Sequence, residues 1–365
     1  MQSDYDAVIL GAGINGTALA RALAEQGKRV AVIEKSQIGA GASSHSSRLI
    51  HGGLRYLENF EFSLVKEALN DQHYLLQNYP KLVKLRNFYL PVYENSPRPA
   101  WMLRAGLWLY GFFSRHGQKA RRVENAEFLA RFGELRAEGL KAVFCYADAK
   151  TDDYALTCAI AAEAKTLGAE ILEDEEIQSL TIEAEKITIC LAERVLTTSL
   201  LINATGAWVD EVNTRFSLPS SYRVEKLSGI HLVIDRVLLP DPIFLQTASK
   251  RIFFIIPEKE TTLIGTTERS ESADVDDIKV NEEDIAYLLK ESNNYLKNAL
   301  KRSDIKEVFI GTRPLIKSAK DPSKMSREYK LDLHRLGKNR LLHIYGGKLT
   351  TFPSLAKKAA EMLKS

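Results

Sequence analysis

Residues 6–24 read DAVILGAGINGTALARALA, and this stretch near the start of a 365-residue chain decides the fold. The mostly apolar run 6–10 predicts a buried parallel strand, and the alanines and leucines after Gly16 predict a helix. Between them, Gly11, Gly13 and Gly16 have the spacing of a dinucleotide-binding turn. The first glycine permits the tight turn, the second lets the backbone approach a pyrophosphate, and the third lets helix and strand pack closely. The stretch therefore predicts the opening of a Rossmann-like domain.

The residues that follow extend the same unit. Gly27 ends the predicted helix, residues 29–33 form a second apolar run, and Glu34 stands at its carboxyl end, where a carboxylate commonly binds a ribose hydroxyl. A glycine-rich helix start without a ligand is the alternative, but four consistent elements in this order argue against it. Because NAD and FAD both use this fingerprint, the choice between them depends on the next segment.

Residues 43–62, SSHSSRLIHGGLRYLENFEF, bear on that choice. A nicotinamide-dependent dehydrogenase normally continues into another strand–helix–strand unit. This segment instead concentrates serines and glycines together with two arginines, a histidine and a tyrosine. A surface turn has no need of those last four side chains. The composition predicts a segment that wraps a cofactor and carries site residues.

The overall composition is that of an ordinary globular protein. With 45% hydrophobic residues the chain can bury a large core, in one large or two modest domains. Fifty basic and 47 acidic residues leave a formal charge of +3, which is too small a bias to indicate nucleic acid as a partner.

Cysteine use and the N-terminus indicate the compartment. The three cysteines are odd in number and lack Cys-x-x-Cys spacing, so neither a disulfide framework nor a metal site is expected. The first residues, MQSDYDAVIL, carry acids where a secretory signal carries basic residues, and no apolar run reaches the roughly 18 residues of a membrane span. We expect a cytoplasmic protein, with peripheral attachment to the inner face of the cell membrane left open.

Hydrophobic patterns divide the rest of the chain into two kinds of segment. A helix is predicted from Asp152 to Gly168, and apolar runs after it predict strands at 177–182, 187–191 and 195–202. The NATG sequence at 203–206 then predicts a second close approach to the cofactor, with an ordinary turn as the alternative. A second, largely antiparallel sheet is predicted from runs at 88–93, 229–234, 251–256, 261–265 and 308–311. A helix over 282–301 has an apolar face that suits covering this sheet.

Eight ordered segments resemble one protein family and together span essentially the whole chain. They are GAGINGTALARALA (11–24), SSRLIHGGLRYLE (46–58), RPAWMLRAGLWLYG (98–111), LLINATGAWVD (200–210), IIPEKETTLIGTTE (255–268), IGTRPLI (310–316), SREYKLDLH (326–334) and IYGGKLTTF (344–352). In this order they resemble the FAD-dependent glycerol-3-phosphate dehydrogenases of the glycine-oxidase-like (D-amino-acid-oxidase-like) flavoprotein superfamily.

The resemblance implies an α/β fold: a Rossmann-like FAD-binding domain beside an α+β substrate domain with a largely antiparallel sheet. The implied FAD-binding domain is discontinuous, over residues 1–85, 145–215 and 330–365, and the substrate domain takes 86–144 and 216–329.

The implied reaction is oxidation of sn-glycerol 3-phosphate to dihydroxyacetone phosphate by hydride transfer to FAD, with electrons passed to a quinone or another acceptor. Two alternatives stay open: oxidation of another small hydroxy or amino acid, and a shortened flavoprotein subunit that needs a partner chain. A homo-oligomer is open as well.

Two departures from the family pattern bear on these expectations. Family members commonly carry a further C-terminal helical domain after the GGKLTT segment, which here occupies residues 346–351. In Lys226–His231, KLSGIH, the family more often has a lysine and a serine flanking the glycine, so this region bears on substrate choice.

Site residues follow from the fingerprint, the resemblance and the chemistry. A phosphate-bearing substrate calls for arginine, whose planar fork makes paired hydrogen bonds, and the candidates are Arg55, Arg313 and Arg327, with Arg313 first. Either His51 or His231 is the expected base, because imidazole titrates near neutral pH. Tyr56 is a candidate for binding substrate oxygen, and Lys348 for stabilising negative charge on reduced flavin. The predicted cofactor contacts are Gly11, Gly13, Asn15, Gly16, Glu34, Lys35, Ser43, Ser44, Ser47, Arg48, Gly52, Ala204, Gly206, Gly347, Lys348, Leu349 and Thr350.

The run 101–113, WMLRAGLWLYGFF, is apolar and aromatic, with Arg98 and Arg115 at its edges. Aromatic and basic residues are typical of a membrane interface, where a peripheral enzyme can pass electrons to a quinone. The alternative is an internal helix that covers the substrate sheet.

Overall fold

The structure is a computed structural model and describes residues 3–115, 117, 119–317 and 328–364, without the side chain of Arg55. The strands in chain order are β1 (Ala7–Leu10), β2 (Val30–Ile33), β3 (Leu49–Ile50), β4 (Lys84–Tyr93), β5 (Arg121–Val123), β6 (Leu140–Lys150), β7 (Glu170–Leu172), β8 (Ser179–Ile182), β9 (Ile187–Cys190), β10 (Val195–Thr198), β11 (Leu200–Asn203), β12 (Val224–Ile234), β13 (Ile243–Gln246), β14 (Ile252–Pro257), β15 (Thr262–Gly265), β16 (Arg269–Glu271), β17 (Ile305–Ile316), β18 (Lys330–Leu336) and β19 (Asn339–Tyr345). The α-helices are α1 (Ile14–Ala24), α2 (Phe62–Asn78), α3 (Ala100–Phe113), α4 (Asn125–Arg131), α5 (Asp153–Thr166), α6 (Val209–Arg215), α7 (Glu282–Asn293) and α8 (Phe352–Met362).

The first sheet has the strand order β18-β19-β11-β1-β2-β7. From β19 to β7 the strands are parallel, and β18 is an antiparallel edge strand. Helices α1, α5 and α8 pack together on one face, and β1 and β2 are buried along their whole length, which explains their unbroken apolar sequences. Because the strands are parallel, their carboxyl ends meet at one edge of the sheet.

The second sheet is larger and mostly antiparallel. Its strand order is β16-β12-β15-β14-β13-β4-β6-β3, with β17 paired to β12 and β5 paired to β6. β12 and β17 pair antiparallel over eleven residues of β12, and Pro314 is tolerated inside β17 because a strand edge needs no N–H donor there. A separate three-stranded sheet, β10-β9-β8, packs beside the first sheet.

This architecture confirms the predicted fold class, an α/β cofactor domain with a second, largely antiparallel sheet. The predicted division of the chain stays a prediction, and one of its bounds, at residue 145, falls within β6, which pairs with β4 along nearly its whole length. The predicted strand 195–202 is two strands in different sheets, because the Thr198 hydroxyl bonds the Leu200 backbone and turns the chain.

Two other predicted elements also end elsewhere. The helix predicted over 282–301 is wrong in length: α7 ends at Asn293, whose side chain bonds both backbone groups of Leu300 and so closes a loop. Arg313, predicted to follow a strand, lies inside β17, which runs on to Ile316. The helix predicted after Asp152 is confirmed as α5, and the Asp152 carboxylate caps it by accepting from the Ala155 N–H.

Helix α3 has two unlike faces. Leu103, Leu107 and Tyr110 are buried against the second sheet, as the interpretation of a covering helix predicts. Trp101, Trp108 and Phe112 on the other face are each more than 70% exposed. Arg98, predicted as a basic edge of this segment, is instead buried and paired with Glu58. Among the described residues, no helix is both long and apolar enough to cross a membrane.

Candidate active site

A large cavity of about 840 Å³ lies where the carboxyl edge of the first sheet faces the second sheet. Its volume is near the upper end of the roughly 300–1,000 Å³ that small-molecule and cofactor sites commonly occupy. Ligands bind at this edge in open α/β sheets, because the loops leaving neighbouring parallel strands diverge there. The predicted site residues can therefore be tested against its walls.

The turn after β1 has the close contacts that the glycine fingerprint predicts. Gly11 has a φ of +95°, a conformation that disfavours any side chain, and a Cβ there would stand 2.9 Å from the Ala204 carbonyl oxygen. A Cβ on Gly16 would stand 2.0 Å from the Gly11 carbonyl oxygen. Gly11 and Gly13 line the cavity, and Gly16 lies behind them, where it lets α1 pack closely on β1. The N-terminus of α1 thus borders the cavity, as a pyrophosphate site requires.

Glu34 and Ser43 hold the loops around this turn. The Glu34 carboxylate accepts hydrogen bonds from the backbone N–H groups of Ala12 (2.7 Å) and Ser36 (3.0 Å), and it borders the cavity. The Ser43 hydroxyl accepts from the N–H of Ile14 at 3.0 Å. A carboxylate has about four acceptor positions, so Glu34 retains capacity for a ribose hydroxyl.

The segment after β19 forms another side of the cavity, where residues 346–350 all contribute to the lining. The Asn15 amide donates to the Gly346 carbonyl at 3.4 Å, and the Thr350 hydroxyl accepts from the His51 N–H at 3.1 Å. The Lys348 ammonium is buried, has no hydrogen-bond partner among the described residues, and lies 4.0 Å from the centre of the Tyr56 ring. An ammonium group in this state is a candidate to bind an anionic ligand group.

His51 and Gly53 line the cavity on a turn, and Tyr56 lines it from the short 3-10 helix that follows at Leu54–Asn59. Tyr56 is only 6% exposed, which places its ring inside the wall rather than on the protein surface. The structure therefore brings the predicted residues His51, Tyr56 and Lys348 together, although their segments are almost 300 positions apart in sequence.

His231 belongs to the wall that the second sheet contributes. Its Nε2 lies 2.8 Å from the Ser47 hydroxyl, its ring stacks on Phe309 at a centroid distance of 5.0 Å, and its Nδ1 is buried without a hydrogen-bond partner among the described residues. Burial, reinforced by the positive charge of Arg313, lowers the pKa of His231 from 6.5 to about 3. The imidazole is therefore neutral over the physiological range.

Arg313 belongs to the same wall, and its guanidinium occupies space that Gly229 leaves free because it has no side chain. Its Nη2 donates to the Thr267 carbonyl at 2.9 Å, and its Nη1 pairs with a Glu268 carboxylate oxygen at 3.3 Å. A Cβ on Gly229 would stand 2.5 Å from Nη2, so a side chain there would displace the guanidinium. The guanidinium borders the cavity in a fixed orientation, which suits paired hydrogen bonds to a phosphate.

Most of the other predicted cofactor residues border the cavity, and a few do not. Lys35, Ala204, Gly206 and Leu349 are in its lining. Three predicted contacts point elsewhere: the Ser44 hydroxyl bonds His45 and Gly41, Arg48 pairs with Glu258 and Asp153, and Gly52 lies beneath the lining against Tyr110.

Two of the three predicted phosphate-binding arginines lie wholly or partly outside the described residues. Arg327 lies outside the described residues, and of Arg55 only the backbone position in the 3-10 helix is described. Ser228, in the segment that departs from the family pattern, bonds Glu271 and is not in the cavity lining, whereas its neighbour Gly229 is.

His45, Asp148 and Glu268 are among the polar lining residues that the sequence analysis missed. His45 had a signal, because it lies within the serine-rich segment. Glu268 ends the IIPEKETTLIGTTE segment, but nothing in that segment predicts a role for this carboxylate. Asp148 lies inside β6, where nothing in an alternating strand pattern marks a carboxylate as part of a site.

These features fit a bound dinucleotide with a redox-active ring. Glycine contacts and a helix N-terminus border one part of the cavity, and Glu34 stands at the end of β2. Farther along the lining are three histidines and the Lys348 ammonium, which has no hydrogen-bond partner among the described residues. Among the described residues, no group of three or more histidine, cysteine or acidic side chains could hold a metal ion. The fold and the site together define a dinucleotide-dependent oxidoreductase.

Comparisons with known proteins identify the family. Residues 6–362 match the DAO family, described as FAD dependent oxidoreductase. The chain is 38% identical to the aerobic glycerol-3-phosphate dehydrogenase of Escherichia coli (strain K12), covering 98% of this chain and 73% of that protein. It is 35% identical to the D-erythritol 1-phosphate dehydrogenase of Brucella abortus (strain 2308), with the same 98% and 73% coverage. The chain therefore belongs to the DAO family of FAD-dependent oxidoreductases, and FAD is its cofactor.

A solved structure agrees with the fold. The glycerol-3-phosphate dehydrogenase from Bacillus halodurans complexed with FAD matches with a TM-score of 0.77 at 23% sequence identity, over 98% of this chain. The chain spans 64% of the length of that protein. The predictions of the family, the fold class and the cofactor are confirmed.

Proposed function

We propose that the protein oxidises sn-glycerol 3-phosphate at its secondary hydroxyl to dihydroxyacetone phosphate. The observation that carries the proposal is Arg313, a guanidinium held in the wall of the cavity by Thr267 and Glu268 with space that Gly229 leaves open. A small phosphorylated polyol is the substrate class that such an anchor suits, because guanidinium binds phosphate through paired, charge-assisted hydrogen bonds. The names of the two relatives, which act on glycerol and erythritol phosphates, support the same class.

The side chains of the cavity have different roles in the proposed reaction. When bound, FAD supplies the hydride acceptor. Arg313 binds the phosphate and thereby orients the carbon chain, and Arg55 and Arg327 remain predicted anchors. Lys348 supplies positive charge beside the Tyr56 ring, where negative charge develops during oxidation.

His51 is the better candidate for the base that takes the hydroxyl proton. A general base is most effective when its pKa lies near the working pH, and the pKa of His231 is about 3. Ser47 bonds the Nε2 of His231, so this imidazole suits a neutral hydrogen-bonding role instead. His51 also borders the cavity, on a turn that Thr350 anchors through the His51 backbone N–H.

A longer polyol phosphate is the second candidate substrate. The Brucella relative is nearly as similar as the Escherichia coli one, at 35% and 38% identity over the same share of this chain. A cavity of about 840 Å³ does not exclude a substrate with one more hydroxylated carbon. The choice between the two substrates is therefore an experimental question.

Anaerobic mixing of the FAD-loaded protein with each substrate tests the proposal. We expect rapid bleaching of the flavin absorbance with sn-glycerol 3-phosphate, slower bleaching with D-erythritol 1-phosphate, and none with glycerol, which lacks the phosphate. Faster bleaching with erythritol phosphate would reassign the substrate within the same class. The proposal would be overturned if a small amino or hydroxy acid bleached the flavin while sn-glycerol 3-phosphate and D-erythritol 1-phosphate both left it unchanged.

For the electron acceptor we propose a quinone reached at a membrane surface, with the exposed face of α3 as the contact. Trp101, Trp108 and Phe112 form an apolar surface on this helix, and Arg104 and Arg115 near it are exposed. Aromatic side chains with basic neighbours favour the headgroup region of a bilayer. In flotation with anionic vesicles we expect the protein to rise with the lipid, and the Trp108→Ser variant to rise less. Recovery of the wild type only in the lipid-free fraction would contradict this contact.

A further inference from the structure

A buried carboxylate that the proposed reaction does not use lies under the active-site turn. Asp148 is in β6, is 4% exposed, and borders the cavity. A carboxylate in this position is costly unless hydrogen bonds satisfy it. Its side-chain partners come from two helices, α2 and α3, and they connect it to the turn that carries His51.

Two side chains bind Asp148 directly. The Tyr110 hydroxyl of α3 lies 3.1 and 3.0 Å from its two carboxylate oxygens, and the Gln72 amide of α2 donates to Oδ1 at 2.5 Å. Gln72 also donates to the carbonyl of Ile50 at 2.7 Å, immediately before His51. Tyr110, Gln72 and Asp148 are all buried, so bulk water does not replace these hydrogen bonds.

The same network also bonds the backbone of the His51–Gly53 turn. The Gly52 N–H donates to the Tyr110 oxygen at 2.8 Å, and a Cβ on Gly52 would stand 2.8 Å from that oxygen and 2.5 Å from Leu69. On the other side, the His51 N–H donates to Thr350. The backbone around His51 is therefore fixed at Ile50, His51 and Gly52, and two of these three contacts lead to Asp148.

The charge state of Asp148 determines how the network can bond. An ionised carboxylate accepts both the Tyr110 O–H and the Gln72 N–H, which leaves the tyrosine oxygen to accept from Gly52. A protonated carboxyl must donate its own hydrogen and competes with Gly52 for the same oxygen. Burial raises the pKa of Asp148 from 3.8 to about 7, and the hydrogen bonds from Tyr110 and Gln72 oppose that rise. Tyr110 and Tyr146, the titratable groups that face it, have pKa values raised well above 10 and stay neutral.

We propose that Asp148 is a positioning residue: together with Tyr110 and Gln72 it holds the His51–Gly53 turn in its productive position, and the ionised carboxylate holds it best. Hydride transfer should then slow as Asp148 becomes protonated. The effect on turnover rests on the proposed function, whereas the position of the turn does not.

The experiment compares three proteins, each loaded with FAD, across the range from mildly acidic to mildly alkaline pH. They are the wild type, Asp148→Asn and the matched control Asp71→Asn. Asp71 is also a buried carboxyl whose pKa burial raises to about 7, but it bonds Ser354 of α8 and does not line the cavity. We expect the rate of anaerobic flavin bleaching in the wild type to rise through a transition near neutral pH. Asp71→Asn should match the wild type at every pH, and Asp148→Asn should be slower even at alkaline pH, where a histidine base is neutral.

A second measurement needs no substrate. Visible circular dichroism of the bound flavin reports on the cavity wall, so the wild-type spectrum should change through a transition near neutral pH and that of Asp148→Asn should not. If neither phosphate bleaches the wild type, the proposed function fails and this titration alone decides the role of Asp148. Persistence of the spectral transition in Asp148→Asn, or its absence from the wild type, would overturn the inference.

The tyrosine provides an independent check. Tyr110→Phe removes the acceptor for the Gly52 N–H, and we expect a roughly tenfold lower bleaching rate at saturating substrate, as for the loss of one buried hydrogen bond. The control is Tyr79→Phe, because the Tyr79 hydroxyl also bonds a carboxylate, that of Glu163, but away from the cavity. Equal rates in Tyr110→Phe and Tyr79→Phe would contradict the proposed network.

Discussion

The two walls of the cavity are built in different ways. Around the turn after β1, the cofactor wall consists mainly of backbone, with glycines where the chain must pass close to itself. The opposite wall consists of side chains on the second sheet, above all His231 and Arg313, held by Ser47, Thr267 and Glu268. A wall made of backbone depends on the absence of side chains, and a wall made of side chains depends on their partners. Substitutions should therefore act on cofactor or substrate according to the wall they touch.

The largest effect is expected at the cofactor wall. In Gly16→Val the new Cβ would meet the Gly11 carbonyl oxygen at 2.0 Å, and backbone cannot move aside as a side chain can. Overpacking costs about 1–3 kcal/mol even where side chains adjust, so we expect FAD affinity to fall at least about 100-fold. Fluorescence titration with FAD measures this, and far-ultraviolet circular dichroism checks the fold. Gly111→Ala on α3, where a Cβ meets no atom within 4 Å, is the control and should bind FAD normally.

At the substrate wall, Arg313→Ala should raise the Michaelis constant for sn-glycerol 3-phosphate about 100-fold while FAD stays bound. Two charge-assisted hydrogen bonds of about 1.5 kcal/mol each account for this magnitude. Steady-state kinetics and the bound flavin spectrum are the measurements. The control is Arg131→Ala, whose guanidinium pairs with Asp241 and does not line the cavity. Loss of FAD from Arg313→Ala would show that the two walls are not independent.

A smaller effect concerns pH and stability. The folded-state pKa of His231 is about 3 against an ordinary value of 6.5, so below 6.5 the unfolded chain binds a proton that the folded protein excludes. The stability that this group contributes is present above about pH 6.5 and is lost as the pH falls towards 3. We expect the free energy of unfolding of His231→Gln to decline less on acidification than that of the wild type. Urea unfolding at several pH values measures the slope, and equal slopes would contradict the prediction.

The smallest effect is expected at the rim of the cofactor wall. Lys35 pairs with Asp276 at 2.6 Å and lies 4.5 Å from the centre of the Trp208 ring, but both ionic side chains are about half exposed or more. Exposed ion pairs contribute about 0–1 kcal/mol, so Lys35→Ala should weaken FAD binding less than about fivefold. A loss greater than that in the same fluorescence titration would show that charge, and not only backbone, builds the cofactor wall.

The difference between the walls also explains which residues the sequence predicts. The turn Gly11–Gly16 and the start of α5 after Asp152 are local: each depends on residues a few positions apart, and the structure has each of them where the pattern indicates. The Glu34 carboxylate bonds the Ala12 N–H 22 positions away, but both residues belong to one strand–turn–helix–strand unit. The order of the parallel strands then follows from the fold class.

The substrate wall could be predicted only in part, because its geometry depends on long-range strand pairing. The register of β12 and β17 sets Leu227 opposite Arg313 and Gly229 opposite Gly311, and no local pattern contains that register. The sequence marks His231 and Arg313 as candidates because of the chemistry of histidine and arginine. It does not predict that Arg313 pairs with Glu268, or that burial lowers the pKa of His231. Asp148 was missed for the same reason, since its partners come from α2 and α3.

The strand order of the first sheet also has a consequence for biosynthesis. β11 pairs with β1 on one side and with β19 on the other, so the centre of the sheet joins the beginning of the chain to residues 339–345. Thr350, farther along still, anchors the His51 backbone. A ribosome has therefore translated more than nine-tenths of these 365 residues before the cofactor wall can close. The nascent chain therefore has to wait for β19 before it can retain FAD, so cofactor loading comes after that strand has been translated.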